Sequence, residues 1–314
     1  MGRIYNSIEE IVGHTPLLRL GKLTEKFELS AELLVKCEFY NPIFSVKDRV
    51  AFNMINKAPF SKINDETVFI EATSGNTGAA LAAFCAYRGY KLVIVMPENM
   101  SKEKIALIRH FGAEVMLTPA AEGMSGAIKK VEILKQRSDN LIEFKQFENP
   151  ANVEAHQLTT AAEIMEDTDG NVDAIVAGVG TGGTLMGIAE TLKSCNPDLF
   201  VMAVEPAESP VLSGGQRGSH QIGGIGAGFV PPFYNAELVN EVYQVASQEA
   251  LEMSKTVAQL EGLPVGVSAA AALCAAVDLA KREEMQGKNI VAILPDSIER
   301  YLSLPFFNRN EKAE

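Results

Sequence analysis

Residue types and spacings able to do chemistry fall in four short segments of the 314-residue chain. The first is Asn41-Pro42-Ile43-Phe44-Ser45-Val46-Lys47-Asp48-Arg49. As plain structure it reads as a surface turn entering a helix, with Ser45 as cap and Lys47 in water. As chemistry, Lys47 would form a Schiff base, which needs surroundings that let its amine lose a proton near neutral pH. The second is Thr73-Ser74-Gly75-Asn76-Thr77-Gly78, between a strand end and a helix start. Backbone N–H groups at such a junction, with the helix dipole behind them, hold an anion without any Lys or Arg; the plain alternative is a cap and turn. Asn76 adds a directed hydrogen bond to a ligand.

The third segment, Gly178-Val179-Gly180-Thr181-Gly182-Gly183-Thr184, is again a strand-to-helix turn, where absent side chains let amides approach a phosphate. Gly178, Gly180 and Gly183 also satisfy G-x-G-x-x-G, and Glu205 follows at the end of a predicted strand, as a dinucleotide fold requires. That makes a nicotinamide-dependent oxidoreductase the rival reading. Against it, the hydroxyls of Thr181 and Thr184 suit a terminal phosphate, and the turn at residues 73–78 is a second anion site. A dinucleotide explains one site, whereas a phosphate-bearing cofactor joined to an amino-acid carboxylate explains both. The fourth segment, Gly266-Val267-Ser268, precedes an Ala-rich stretch; Ser268 is either a helix N-cap or the partner of a ring nitrogen.

The elements that must position these residues follow one pattern: a short apolar run, a Gly/Ser/Thr turn, then an Ala-rich amphipathic stretch. Predicted strands are residues 67–71, 91–96, 114–118, 173–177, 200–205 and 289–294. Predicted helices are residues 79–88, 101–111, 184–193 and 269–281. Such alternation implies parallel sheets covered by helices on both faces. Residues 209–232 are glycine-rich and aperiodic, a long loop of the kind that is often functional. A polar tail follows Phe307. No internal repeat or low-complexity tract is present.

The chain length allows two domains or one large α/β unit. A formal net charge of −12 and a pI near 5.0 argue against binding nucleic acid by phosphate neutralisation, so an anionic ligand has to be held locally. Cys37, Cys85, Cys195 and Cys274 form no C-x-x-C pair or Cys/His cluster, so no disulfide framework and no metal site is expected, and reduced thiols fit a cytoplasmic protein. Residues 1–13 lack the apolar core of a signal peptide. The longest apolar stretch, residues 263–277, contains Pro264 and Gly266 and is too short to cross a bilayer.

In this order the segments closely resemble the cysteine synthase (O-acetylserine sulfhydrylase) family, of the tryptophan-synthase-β-like, fold type II, pyridoxal phosphate enzymes. The likeness runs through IVGHTPLLRL at residues 11–20, NPIFSVKDR at 41–49, ATSGNTG at 72–78, and residues 96–128. It continues through QFENPAN at 146–152, GVGTGGT at 178–184, EPAESPVLSGG at 205–215, GIGAGF at 224–229 and ERYLS at 299–303. The resemblance implies Lys47 as the Schiff-base lysine, Asn76 at the ring hydroxyl, and Gly180, Thr181, Gly182, Gly183 and Thr184 as the phosphate cradle. Ser268 is implied at the pyridine nitrogen. Thr73, Ser74, Gly75, Thr77 and Gln146 are implied at the substrate carboxylate, and Met124, Phe147 and Gly224 around the substrate.

The resemblance further implies a smaller, mobile α/β domain (residues 41–149) inserted into a larger one (residues 1–40 and 150–314), with pyridoxal 5'-phosphate in the cleft of a homodimer. The implied reaction replaces the acetoxy group of O-acetyl-L-serine by sulfide. Lys47 is the general base, and a serine acetyltransferase C-terminal tail is a candidate partner. A cysteine desulfhydrase or cystathionine β-synthase-like activity is the alternative within the class. The loop at residues 224–231 resembles the first choice, and the absence of an arginine in the pocket segments disfavours a phosphorylated substrate. Three positions depart from the family: Ala72 for proline, Ala269-Ala270 for Ser-Gly, and Asp296-Ser297-Ile298 for Ser-x-Gly. The last two changes are expected near the cofactor ring, where the added bulk of Ala270 and Ile298 would narrow the pocket or stiffen a loop.

Overall fold

The structure, a computed structural model, describes residues 4–73 and 75–303; Ser74 and the polar tail after Phe307 lie outside the described residues. The chain begins with strand β1 (Leu17–Arg19), helix α1 (Gly21–Lys26), strand β2 (Glu32–Cys37) and helix α2 (Lys47–Asn56). Next come β3 (Val68–Ala72), α3 (Asn76–Tyr87), β4 (Lys91–Pro97), α4 (Lys102–His110), β5 (Glu114–Thr118), α5 (Gly123–Lys135) and β6 (Leu141–Glu143). Helix α6 (Ala151–Ala155) runs through a π-helical turn (His156–Thr160) into α7 (Ala161–Asp167). The remainder is β7 (Ala174–Gly178), α8 (Gly183–Cys195), β8 (Phe200–Pro206), β9 (Glu241–Val245), α9 (Ser247–Glu261), α10 (Val267–Ala280) and β10 (Asn289–Leu294).

Two sheets form. One is all parallel in the order β5-β4-β3-β6; the other has the order β1-β2-β10-β7-β8-β9, parallel except for the edge pair β1 and β2. The central strands are apolar on both faces because both faces are covered. In the larger sheet Ala174, Val176, Met202 and Val204 pack toward α1, α9 and α10, while Ile175, Ala177, Val201 and Ala203 pack toward α7 and α8. In the smaller sheet Phe69, Ile94 and Met96 face α2 and α3, and Ile70, Val93 and Val95 face α5. Helix α10, Ala-rich and apolar all round, is buried on nearly every side. The expected α/β architecture of mostly parallel sheets flanked by helices is therefore the observed one.

The strand orders decide where a ligand can sit. In the smaller sheet the chain runs from β3 outward to β5 and returns on the other side as β6; in the larger sheet it runs from β7 outward to β9 and returns as β10. Each reversal leaves a crevice outside the carboxyl ends of two neighbouring strands. The turn after β3 and the segment after β6 flank one crevice; the turn after β7 and the segment after β10 flank the other. The predicted elements match these strands and helices to within a few residues, except that helix α3 starts at Asn76 rather than residue 79. No strand or helix appears in residues 207–235, as the glycine-rich loop requires.

Candidate active site

A single cavity of about 740 Å³ collects both crevices, with Lys47, Asn76 and Gln146 on one side and Gly180, Thr184 and Ser268 on the other. The cradle after β7 is a backbone device. The N–H groups of Gly180, Thr181, Gly182 and Thr184 have no backbone acceptor among the described residues. Gly182 has φ +84°, and a Cβ on Gly183 would lie 2.1 Å from Asn152 Oδ1, while one on Gly180 would lie 2.4 Å from the Gly224 carbonyl oxygen. Only glycine lets the turn close this tightly and leaves its amides free. Those amides at the start of α8, with the hydroxyls of Thr181 and Thr184, make a seat for a phosphate.

Side chains from the α6–α7 region support this seat. Asn152 Nδ2 donates to Thr181 Oγ1 at 3.0 Å and to the Gln146 carbonyl at 2.7 Å. His156, fully buried in the π-helical turn, lies 2.9 Å from Thr160 Oγ1 and 3.1 Å from Thr184 Oγ1. Burial, reinforced by the charges of Lys47 and Arg49, holds its pKa well below the usual histidine range, so it acts as a neutral imidazole. Ser268, in the first turn of α10 rather than at its N-cap, lines the cavity and makes no hydrogen bond among the described residues. A hydroxyl free to meet a ring nitrogen and a glycine cradle free to meet a phosphate together fit pyridoxal phosphate.

The turn after β3 is held from behind. Thr73 Oγ1 accepts the Gly75 N–H at 3.1 Å, and Gly75 has φ +137°. Thr77 Oγ1 donates to Gln146 Oε1 at 2.7 Å, and Gln146 Nε2 donates to the Ala72 carbonyl at 2.8 Å, tying β3 to the segment after β6. Beneath them Glu71 accepts the Gln146 N–H, and its burial raises its pKa to about 8. Gln146, Thr77, Met124, Phe147 and Gly224 all line the cavity; Thr73 and Gly75 sit behind it, and Ser74 is outside the described residues.

Lys47 opens α2, its N–H bonded to Ser45 Oγ at 3.3 Å, and is partly buried at the cavity wall rather than solvated. Burial pushes its amine down to about 8, against the opposing pull of Asp296 and Glu38. Its helix is anchored by Arg49, which donates to Glu38 (2.7 and 2.9 Å) and to both oxygens of Glu163 (2.6 and 2.7 Å). Lys36 on β2 adds a 3.0 Å ion pair to the same Glu163. Opposite, Asn76 Nδ2 donates to Asp296 Oδ2 at 2.6 Å, its Oδ1 accepts from Arg300 at 3.0 Å, and its side chain also bonds the Tyr301 hydroxyl, so the amide is fixed in place at the cavity wall.

Several sequence expectations need correction. Ala270 is wholly buried in the large core and Ile298 packs against that core; neither lines the cavity, so neither narrows it. The consequential change is Asp296, which receives bonds from both Asn76 and Tyr301. An arginine does reach the pocket: Arg217, from the glycine-rich loop, is one of its lining residues. Glu205, the acid of the dinucleotide pattern, instead accepts the N–H groups of Leu212 and Ser213 and the Ser213 hydroxyl, fastening the start of that loop. The reading from sequence also passed over Asn152, His156, Lys104, Arg300 and Tyr301. Asn152 closes the quoted QFENPAN segment and His156 lies one turn on, but a role for either follows only from the contact of that helix with the cradle. Among the described residues no group of His, Cys, Asp or Glu side chains is placed to hold a metal ion.

Residues 8–296 match the model of the pyridoxal-phosphate dependent enzyme family, and the chain belongs to that family. It is therefore a pyridoxal phosphate enzyme. A cysteine synthase of Staphylococcus aureus is 46% identical over 305 residues, covering 96% of this chain and 97% of the relative. Among solved structures, the cysteine synthase of Entamoeba histolytica is 43% identical with a TM-score of 0.92, covering 98% of this chain and 91% of that one. A hydrogen sulfide-producing enzyme of Fusobacterium nucleatum is 40% identical with a TM-score of 0.91, covering 95% of this chain and 100% of that one.

Proposed function

We propose that this enzyme converts O-acetyl-L-serine and sulfide into L-cysteine and acetate. The observation that supports the reading is one cavity lined by the glycine turn at residues 180–184 on one wall, by Asn76, Thr77 and Gln146 on the other, and by Lys47. When bound, pyridoxal phosphate supplies the electron sink that lets an α-proton leave an amino acid.

The residues divide the remaining work. Gly180, Thr181, Gly182, Gly183 and Thr184 would hold the phosphate, Asn76 the ring hydroxyl and Ser268 the ring nitrogen. Ser268 is neutral and cannot keep that nitrogen protonated as a carboxylate would, which favours loss of the β-substituent over transamination. Of the turn residues, Thr77 and Gln146 line the cavity and would meet the substrate carboxylate, with Thr73, Ser74 and Gly75 forming the turn that presents them. Lys47, with an amine near the working pH, removes the α-proton as general base and returns it after sulfide has taken the place of acetate. Residues 41–149 move as the smaller body when substrate binds, and the working form is a homodimer. The end of a serine acetyltransferase chain is a candidate occupant of the cleft.

The test is a comparison of substrates on the purified protein. O-acetylserine plus sulfide yields cysteine and acetate at least about tenfold faster than serine plus homocysteine yields cystathionine, or cysteine alone yields sulfide. A faster release of sulfide from cysteine would replace this reading with the hydrogen sulfide-producing one.

A further inference from the structure

The cavity wall between the two anion-holding turns carries a third set of donors that the reaction above leaves unused. Helix α4 begins beside the turn after β3. Lys104, on its first turn, is 6% exposed yet makes no hydrogen bond or ion pair among the described residues. Its stem lies across Gly75, where a Cβ would meet Lys104 Cδ at 2.4 Å, and its ammonium stands 4.2 Å above the Tyr301 ring. Ser101, at the N-cap of the same helix, is 9% exposed, makes no capping bond, and has a buried Oγ without a partner. Both residues line the cavity. A desolvated ammonium and an orphaned hydroxyl at a helix N-terminus are costly to keep unless something negative meets them.

We infer that Ser101, Lys104 and the N-terminus of α4 form a binding subsite for the nucleophile as its monoanion, hydrosulfide. This rests on the proposed reaction, and elimination supports it. The phosphate and the carboxylate already have their own turns, so the anions still to be placed are the departing acetate and the sulfur nucleophile; of these only the nucleophile has to be captured from solvent, and near neutral pH a large share of it is HS⁻. Burial brings the Lys104 amine down to about 8, with Asp296 opposing, so it remains mostly charged at pH 7. The step balances without any oxidant. HS⁻ brings the electron pair of the new carbon–sulfur bond to the carbon that has lost acetate, and the α-proton taken by Lys47 returns to Cα.

The experiment uses the holoenzyme, with thiocyanate as an inert monoanion. In the native protein thiocyanate should bind one per chain by calorimetry and inhibit competitively against sulfide. Lys104→Met should weaken thiocyanate binding and raise the KM for sulfide, each by about tenfold, with the KM for O-acetylserine changing less than about twofold. Lys104→Arg should restore both, and Ser101→Ala should give a smaller change in the same direction. A rise in the KM for O-acetylserine with sulfide unaffected would overturn the proposal and assign Lys104 to the amino-acid carboxylate. Thiocyanate binding unaltered by Lys104→Met would overturn it as well. If the native enzyme makes no cysteine from these substrates, it is the proposed reaction that fails, and the calorimetry still decides whether the subsite exists.

Discussion

At the scale of single residues, Lys47 depends on burial for its chemistry. An exposed lysine is protonated at neutral pH, whereas the cavity wall disfavours the ammonium and brings the amine down to about 8. Because the charged form is the one penalised, the reactive neutral amine accumulates as pH rises through that value. The rate at which an acylating reagent modifies Lys47 in the cofactor-free protein should therefore climb about tenfold from pH 6.5 to 7.5 and level off above about 8.5, read by mass spectrometry of the Lys47 peptide. A profile still climbing steeply at pH 10 would mean that the amine is effectively solvated. Nothing in the sequence near Lys47 announces this shift; the burial that causes it, and the charges of Asp296 and Glu38 that limit it, come from the packing of the whole chain.

At the scale of elements, the site is made by two turns and one anchored helix. The cradle works because Gly183 has no side chain, so Gly183→Ala should push Asn152 aside and spoil the turn. Cofactor affinity should fall at least about tenfold, measured by titrating the apoprotein with pyridoxal phosphate, while the far-ultraviolet circular dichroism stays native. The helix bearing Lys47 is fixed by Arg49 between Glu38 and Glu163. Arg49→Met leaves Glu38 buried without its charge partner and should cost about 3–5 kcal/mol of stability, measurable as a lower denaturant midpoint. A midpoint unchanged within error would show that the network contributes specificity rather than stability.

At the scale of the whole molecule, the ionic cluster that holds α2 to the larger sheet ties stability to pH. Burial alone would raise the Glu163 carboxyl, but the Arg49 hydrogen bonds and charge, together with Lys36 and the His14 N–H, outweigh it and hold the group at about 2. A carboxylate depressed on folding stabilises the folded state above its unfolded value, near 4.5, and loses that contribution as pH falls toward 2. Scanning calorimetry should show Tm dropping through this window. Glu163→Gln should start lower and fall less steeply, since it has no proton to gain. The same scale explains the cavity: asparagine, arginine and serine contacts to Asp296, Ile43 and Glu103 join the end of the larger sheet to the smaller one across it.

The sequence by itself determined the alternation of strands and helices, the two anion-holding turns and the lysine between them, because strand period, glycine spacing and turn chemistry are local properties. It misjudged Ala270 and Ile298 and overlooked Asn152, His156, Arg217 and Lys104, since which side chains face a cavity depends on strand order and on helices distant in the chain. Glu205 could be read as a ribose acceptor until the loop that occupies it was in place. Only the tertiary structure, by setting the two topological reversals face to face, decided that these separate segments share one pocket. The physical reason is that burial, and with it the charge state of Lys47, belongs to the packed whole.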